Sequence, residues 1–275
     1  MTVLKAVGVR WVADRALPGA REVLRGVDLE MCGGESVGLV GCSGAGKTTL
    51  ALILAGLLEP DSGEVMRPGE ACGVGLVFQD PERAFFGETV LEDVAFGARN
   101  AGVAEPRAVD LARTALVAVG LDPDRYGARA PHTLSGGEAR RAAIAGVLVC
   151  DPPVVLFDEP TVGLDAEGVR SLREVIARLT ADDRAVGIIS HDLSFLADEC
   201  SRILVLDGGC IAWEGAPADL PAGLPPQWRE DPAAWGGELA ELVAGLVGRG
   251  VLKDAVPPNP ELVAAAWLAQ RRNEV

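Results

Sequence analysis

The sequence predicts an α/β fold built on a parallel sheet, and three observations support this prediction. Three short, continuous apolar runs are typical of strands buried on both faces: residues 37–40, 154–157 and 186–189. A glycine-rich loop separates the first run from a helix-like stretch at residues 48–58. Residues 89–149 are rich in Ala, Leu and Arg, which favours helices.

Other segments predict strands of a different kind. Val7, Val9 and Trp11 alternate with small or polar residues, and the same alternation continues at residues 27–31. This pattern indicates amphipathic strands. Further short strands are expected at residues 74–78, 202–206 and 210–213, the last two flanking an Asp-Gly-Gly turn.

Composition excludes several classes of protein. The 275 residues carry 25 Lys and Arg against 40 Asp and Glu, a net charge of −15, with 49% hydrophobic residues and 24% charged residues. This acidic balance argues against a nucleic-acid binder and against a protein held on anionic lipid by its own charge. The longest apolar stretches are about half of the ~20 residues that a membrane-spanning helix needs, despite a mean hydropathy of +0.23. With no secretory leader in the sequence, we expect a soluble protein that stays inside the cell.

The six cysteines show no Cys-x-x-Cys pair and no nearby His, so we expect neither a zinc site nor a disulfide framework. A change of composition divides the chain. Five prolines at residues 216–232 predict an irregular linker, and two helices are expected beyond it. The predicted boundaries are a main domain at residues 1–215 and a linker with a helical extension at residues 216–275.

Residues 41–48 fit the pattern G-x-x-x-x-G-K-[ST] between a predicted strand and a predicted helix. In this pattern backbone N–H groups surround phosphate oxygens, and the helix N-terminus adds positive potential. Lys47 would reach the β- and γ-phosphates, and the Thr48 hydroxyl would bind Mg²⁺. The structural alternative is a glycine-rich turn that merely precedes a helix.

Two carboxylates, Asp158 and Glu159, follow the buried run at residues 154–157. Ends of parallel strands border the ligand crevice of an open sheet. Asp158 would therefore hold Mg²⁺, and Glu159 would orient or polarise the attacking water. The alternative is a strand that ends in a polar turn.

The run Ser135-Gly136-Gly137-Glu138 precedes a helical stretch and has two interpretations. Ser135 and Glu138 form the S-x-x-E pattern of a capping box, which would serve only to start the helix. The two glycines are poor helix formers, at about 1 kcal/mol each against Ala. A bare helix start with glycines is also suited to the close approach of a second phosphate group.

Two further polar residues follow predicted strands. His191 comes after the strand at residues 185–190, and Gln79 comes after residues 74–78. The same strand-end argument places both at the crevice, although a lone His is more often structural. His132 is assigned no function.

The ordered set of these motifs, together with Gly163-Leu164-Asp165, resembles the ATP-binding subunits of ABC transporters over residues 1–215. The Ser-Gly-Gly signature is specific to that family. The resemblance implies a P-loop NTPase domain with a RecA-like parallel sheet core, an antiparallel β subdomain and a helical subdomain inserted at about residues 89–149. The sequence of residues 77–97 further resembles that of the energy-coupling-factor (ECF) ATPases of vitamin, cobalt and nickel uptake.

The resemblance also implies residue roles. Lys47, Glu159 and His191 would act in catalysis, and Thr48, Gln79 and Asp158 would hold the Mg²⁺ that accompanies ATP. Asp165 would cross a dimer interface, and the signature Ser135, Gly136, Gly137 and Glu138 would close over ATP on the opposite subunit. The implied nucleotide-binding residues are Trp11, stacked on adenine, with Gly41, Cys42, Ser43, Gly44, Ala45, Gly46, Lys47, Thr48 and Thr49. Glu138 stands where the family more often has Gln, and Trp11 where it usually has Tyr.

The implied partners are ATP, a second ABC ATPase subunit and transmembrane transporter subunits, with no nucleic acid. The chain would then lie on the cytoplasmic face of the membrane, held by those subunits. Residues 81–96, around Phe85 and Phe86, are the expected docking surface; the alternative is that both rings belong to the core. Other possible functions are an ATPase subunit of a different ABC importer or exporter, a soluble ABC protein of translation or DNA repair, and a non-hydrolysing partner of a heterodimer.

Overall fold

The computed structural model describes residues 1–15, 19–69, 72–79 and 85–220. Its strands are β1 Thr2–Ala13, β2 Arg21–Cys32, β3 Ser36–Val40, β4 Ser62–Met66, β5 Val74–Val77, β6 Val154–Asp158, β7 Ala185–Ile189, β8 Arg202–Asp207 and β9 Cys210–Gly215. Its helices are α1 Lys47–Leu54, α2 Val90–Asn100, α3 Arg107–Ala118, α4 Pro123–Tyr126, α5 Gly136–Leu148, α6 Ala166–Ala181 and α7 Leu193–Glu199.

The larger sheet has the strand order β5-β6-β7-β3-β8-β9, in which only β9 is antiparallel to its neighbour. Alternate residues of one strand enter two different cores. In β6, Val155 and Phe157 join the cluster that includes the inserted helices, and Val154 and Leu156 join the cluster with α1 and the smaller sheet. Burial on both faces explains the continuous apolar runs, and it confirms the predicted parallel sheet.

The smaller sheet has the order β2-β1-β4 and is antiparallel. The strand predicted from the alternation of Val7, Val9 and Trp11 is present, but the alternation does not keep one face buried, since Val7 is 42% exposed while Val9 is fully buried. The register slips between Ala6 and Val9, where Gly8 has a φ of 60°. A slip of one residue moves a side chain to the opposite face of a strand, so the bulge turns Val7 toward solvent.

Helix α1 begins where the sequence predicts but ends at Leu54, four residues earlier than expected. Gly56, with a φ of 75°, turns the chain out of the helix before Pro60 is reached. The predicted helical segment between residues 89 and 149 contains α2 to α5, of which α2, α3 and α5 pack on one another. These helices form a layer of their own, attached to the large sheet through α5 and β5.

The packed part of the chain continues past residue 215. Residues Pro217–Asp219 form a 3₁₀ turn, and Leu220 is buried in the core. The proline-rich segment from residue 221 and the two predicted C-terminal helices lie outside the described residues. The six cysteines carry free thiols, and burial raises the pKa of the Cys200 thiol to about 12. No helix in the described part of the chain is long and apolar enough to cross a membrane.

Candidate functional site

The carboxyl ends of four adjacent strands bring most of the predicted site residues together. The strands β5, β6, β7 and β3 are neighbours and run parallel. They lead respectively into Gln79, the Asp158–Glu159 pair, His191 and the glycine-rich loop at residues 41–46. Parallel strands end at the same edge, so the topology itself assembles the site from segments far apart in sequence.

The glycine-rich loop is shaped by close contacts that only glycine permits at two positions. A Cβ on Gly41 would lie 2.3 Å from the Leu206 carbonyl oxygen. Gly46, the N-cap of α1, has a φ of 102°, and a Cβ there would lie 2.9 Å from Leu24 Cδ2. No side chain caps α1, and its first turn holds no acidic residue. Its terminal N–H groups are therefore available to an anion.

Lys47 points back across this loop. Its Nζ donates hydrogen bonds to the carbonyl oxygens of Gly41 at 2.7 Å and of Cys42 at 3.2 Å. The ammonium group is thereby held over the concave side of the loop. An anion bound in the loop would meet this charge together with the N-terminus of α1.

Thr48 and Asp158 meet across the site, although they are far apart in sequence. The Thr48 hydroxyl donates to Asp158 Oδ2 at 2.9 Å. Asp158 is only 6% exposed, and burial raises the pKa of its carboxyl group, a shift that the Thr48 hydrogen bond opposes. A hydroxyl and a buried carboxylate are hard oxygen ligands, and a cation beside them would favour the ionised carboxylate. These two residues therefore fit a Mg²⁺ ion that takes its other ligands from phosphate and water.

Glu159 has a left-handed backbone, with a φ of 49°. Its N–H donates to the Ile189 carbonyl oxygen at 2.9 Å, which ties it to the end of β7. His191 Nδ1 lies 2.9 Å from Glu159 Oε2, but its N–H is not directed at that oxygen. Within the described residues Oε2 is buried and accepts no hydrogen bond, so it can accept one from a water molecule.

Three predicted residues lie at the margins of this edge. Gln79 is exposed immediately after β5. Trp11 is half-buried and pairs with Leu24, whose side chain packs beneath Gly46, so both lie on the face nearest the loop. A cleft of about 240 Å³ opens beside the loop, between the start of β2 and the β8–β9 turn, and Trp11 is not part of its lining. Asp165 is exposed and caps α6 by accepting from Gly168 N at 2.8 Å.

The start of α5 is a complete capping box, as one interpretation of the sequence predicted. Ser135 Oγ accepts from Glu138 N at 3.3 Å, and Glu138 Oε2 accepts from Ser135 N at 2.8 Å. This local role does not explain the two glycines. Among the residues that the structure describes, a Cβ on Gly136 would meet no side chain or neighbouring segment within 4 Å, and one on Gly137 would reach Leu164 Cδ2 at 4.0 Å. Space remains in front of the helix start, on the outside of this chain.

Comparisons with known proteins agree with this geometry. The sequence pattern of the ABC transporter family matches residues 24–162. The chain belongs to the ABC transporter family. It is an ATP-binding and ATP-hydrolysing subunit of that family.

One relative and two solved structures show which members of the ABC transporter family this chain is similar to. The chain is 39% identical to the energy-coupling factor transporter ATP-binding protein EcfA of Methanothermobacter thermautotrophicus over 215 residues, covering 74% of this chain and 68% of the relative. The structure is similar to cbiO1 of Clostridium perfringens, part of the ABC transporter complex cbiONQ, with a TM-score of 0.69 and 27% identity over 91% of this chain and 97% of that one. It is also similar to the dimeric ATP-binding cassette MJ0796 bound to ADP and phosphate, with a TM-score of 0.70 and 26% identity over 78% and 99% of the two chains.

Glu138, where the resemblance led us to expect Gln, is held by three neighbouring groups. The Ser135 N–H, a hydrogen bond from Tyr126 and the charge of Arg129, whose Nη1 lies 3.8 Å away, together lower the pKa of this carboxyl group. The ionised form is therefore favoured in the folded chain. Gln could make the same backbone contact without the charge.

We expect Glu138→Ala to lower the free energy of unfolding by about 1 kcal/mol, because the capping box is lost. Glu138→Gln should stay closer to wild type at neutral pH. Since the folded-state pKa is lowered, the contribution of the ionised Glu138 is present at neutral pH and is lost as the pH falls through the folded pKa. Urea unfolding of the three proteins measures both effects. Equal destabilisation by Gln and Ala would contradict the capping role.

Two side chains that hold segments next to predicted functional residues were not predicted from the sequence. Asp93 Oδ1 accepts from the backbone of Phe86 and Gly87 and so holds the exposed loop before α2. Arg140 is 5% exposed and donates to the backbone carbonyl oxygens of Gln79 and Glu159. Helical spacing offered a signal for the second, because Ile144, one turn later, is buried.

Proposed function

We propose that this chain hydrolyses ATP as one half of a head-to-tail pair and thereby energises a membrane transporter, most nearly an ECF-type importer of a vitamin or a transition-metal ion. The observation that carries the proposal is the pairing of Thr48 with Asp158 beside the glycine-rich loop, with Glu159 next in the chain. Residues suited to bind phosphate, a cation and a water molecule thus lie at one edge of the sheet.

In this mechanism the loop N–H groups, Lys47 and the start of α1 bind the phosphates and offset their charge. Glu159 Oε2 orients the attacking water and accepts its proton, while His191 and Lys47 stabilise the charge on the γ-phosphate. Thr48 and Asp158, with Gln79 nearby, would hold Mg²⁺, which supplies further charge neutralisation at the phosphates. Trp11 would contact the adenine ring.

The open space before Gly136 and Gly137 supports the second half of the proposal. In a head-to-tail pair the N–H groups at the start of α5 of one chain would approach the ATP bound to the other, and Asp165 would lie at the boundary between them. ATP would then favour the closed pair, and hydrolysis would release it. The dimeric state of the similar cassette MJ0796 is consistent with such a pair.

The transport assignment draws on the relatives and on one exposed surface. Both EcfA and cbiO1 are named as parts of transporters. In this chain Phe78, Phe86 and Phe96 are 43%, 63% and 45% exposed, and the last two rings form an edge-to-face pair with centroids 4.4 Å apart. Phe85 instead packs on the core. Of the two alternatives for this pair, the exposed docking surface therefore suits Phe86 and the core suits Phe85. Residues 81–84 lie outside the described residues.

We propose that this aromatic surface, formed by Phe86 and Phe96, receives a cytoplasmic helix of a transmembrane subunit. Exposed apolar patches that are held rigid are typical of protein contacts. The chain would thereby lie at the cytoplasmic face of the membrane.

We expect the tagged wild-type chain, expressed in its source organism, to co-purify with a polytopic membrane protein. The double variant Phe86→Ser/Phe96→Ser should no longer co-purify with that protein. Magnesium-dependent ATP hydrolysis by the isolated double variant should stay within about twofold of wild type, because neither ring touches the phosphate site. Val117→Ser, at a 61% exposed position on α3, is the matched control. If no membrane protein accompanies the wild-type chain, the transport proposal fails. If one does, uptake of labelled cobalt, nickel and vitamins by the purified complex, reconstituted in vesicles, identifies the cargo.

A further inference from the structure

A buried arginine joins three segments of the site. Arg140 lies in the second turn of α5 and is 5% exposed. Its Nη1 donates to the carbonyl oxygens of Glu159 at 2.9 Å and Pro160 at 2.6 Å, and its Nη2 donates to that of Gln79 at 2.6 Å. A single guanidinium group therefore links the helix that begins at Ser135 with the chain just after β5 and just after β6.

Burying a guanidinium group is costly unless its donors are satisfied, so this arrangement calls for an explanation. Its fork geometry suits several acceptors that a single ammonium could not reach together. The acceptors are backbone atoms at the ends of two strands, which the sheet already fixes on one side. Arg140 fixes them on the other.

The backbone of Glu159 depends most on this contact. Its φ of 49° lies in the left-handed region, which is uncommon and strained for a residue with a side chain. The Glu159 N–H is bonded to the end of β7, and its carbonyl oxygen is bonded to Arg140. The peptide groups on both sides of its Cα are thus held, and the direction of the side chain follows from them.

We infer that Arg140 is a positioning residue for hydrolysis, which acts through Glu159 by fixing its left-handed backbone and so the place of its carboxylate. The inference rests on the proposed function, in which Glu159 orients the attacking water. Because Gln79 shares the same guanidinium group, the signature helix, the Gln79 segment and the hydrolytic carboxylate are held in one arrangement.

The first test is Arg140→Lys, which keeps the charge but not the fork. A small displacement of a reacting group costs up to about 100-fold in rate, and we expect kcat to fall by at least about tenfold. The dissociation constant for ATP should change by less than about twofold, since the described hydrogen bonds of Arg140 are to Gln79, Glu159 and Pro160 and not to the phosphate loop. Arg113→Lys, in an exposed ion pair on α3 of the same helical layer, is the matched control and should change neither value. An unchanged kcat in Arg140→Lys overturns the inference.

A second test separates positioning from general stability. Single-turnover hydrolysis is compared between Glu159→Gln and Glu159→Gln/Arg140→Lys. If Arg140 acts through the Glu159 carboxylate, replacing Arg140 should have no further effect once that carboxylate is absent. The single-turnover rates of the two variants should then be equal within about twofold. If the lysine lowers the rate by the same factor in both backgrounds, Arg140 acts elsewhere and the inference is wrong. Should Arg140→Lys not fold, Arg140→Gln is measured in the same way.

The failure of the proposed function would look different. Wild-type chain that binds ATP but does not hydrolyse it would contradict the proposed function before any Arg140 variant is made. Wild-type chain that hydrolyses ATP, with an Arg140→Lys variant of equal kcat, would leave the proposed function intact and remove Arg140 from it.

Discussion

Glu159→Gln should bind ATP with near wild-type affinity and lose its hydrolysis by about 10²–10⁴-fold, the usual contribution of a general base. The amide has the shape of the carboxylate but cannot accept the proton of the attacking water. The phosphate loop, Lys47 and the Thr48–Asp158 pair are untouched by the change. We therefore expect binding and turnover to separate completely.

The same variant should accumulate as an ATP-bound pair, because the step that opens the pair has been removed. Size-exclusion chromatography with and without ATP measures this state, and filter binding of labelled ATP measures affinity. Glu167→Gln, an exposed carboxylate in the first turn of α6, is the matched control and should behave as wild type. Undiminished hydrolysis by Glu159→Gln would remove Glu159 from the proposed chemistry.

Lys47→Ala should fail at the preceding step, the binding of ATP. Charge-assisted hydrogen bonds are worth about 1.5–3 kcal/mol each, so losing one to phosphate should weaken ATP affinity by about 10- to 100-fold. Turnover should fall further, because the same ammonium would stabilise charge on the transferred group.

Isothermal titration with ATP measures the binding loss in Lys47→Ala. Lys5→Ala, which removes a surface ion pair with Glu30 on the small sheet, serves as the control and should leave affinity unchanged. The free energy of unfolding should also be recorded, because Lys47 bonds two carbonyl groups of its own loop in the absence of ligand. Wild-type affinity in Lys47→Ala would mean that the loop does not bind the phosphates.

The sequence predicted well those features that depend on residues close together in the chain. Unbroken apolar runs predict β3, β6 and β7 because burial on two faces leaves no polar position. The glycine-rich loop and the capping box of α5 are likewise local patterns with local physical causes. Each was confirmed at nearly the expected residues.

Features that arise from tertiary contact could not be predicted in this way. The exposure of Val7 follows from a one-residue slip between two strands, which the periodicity of β1 alone does not reveal. Phe85 and Phe86 are neighbours of identical type, yet one packs on the core and the other is exposed. Arg140 was overlooked because a charged residue in a helix is by default assigned to solvent. The three acceptors described for it come from residues 19, 20 and 61 positions away.

The two bare glycines at the start of α5 have a consequence for anyone who engineers this chain. Within the described residues nothing fills the space beside Gly136, so a larger residue there would meet no obstacle among them and would gain helix propensity. A selection for heat-resistant variants of the isolated chain would therefore favour substitutions at this position. The added side chain would occupy the space that the proposed pair needs. The more heat-resistant variant would therefore form the pair, and hydrolyse ATP, less well.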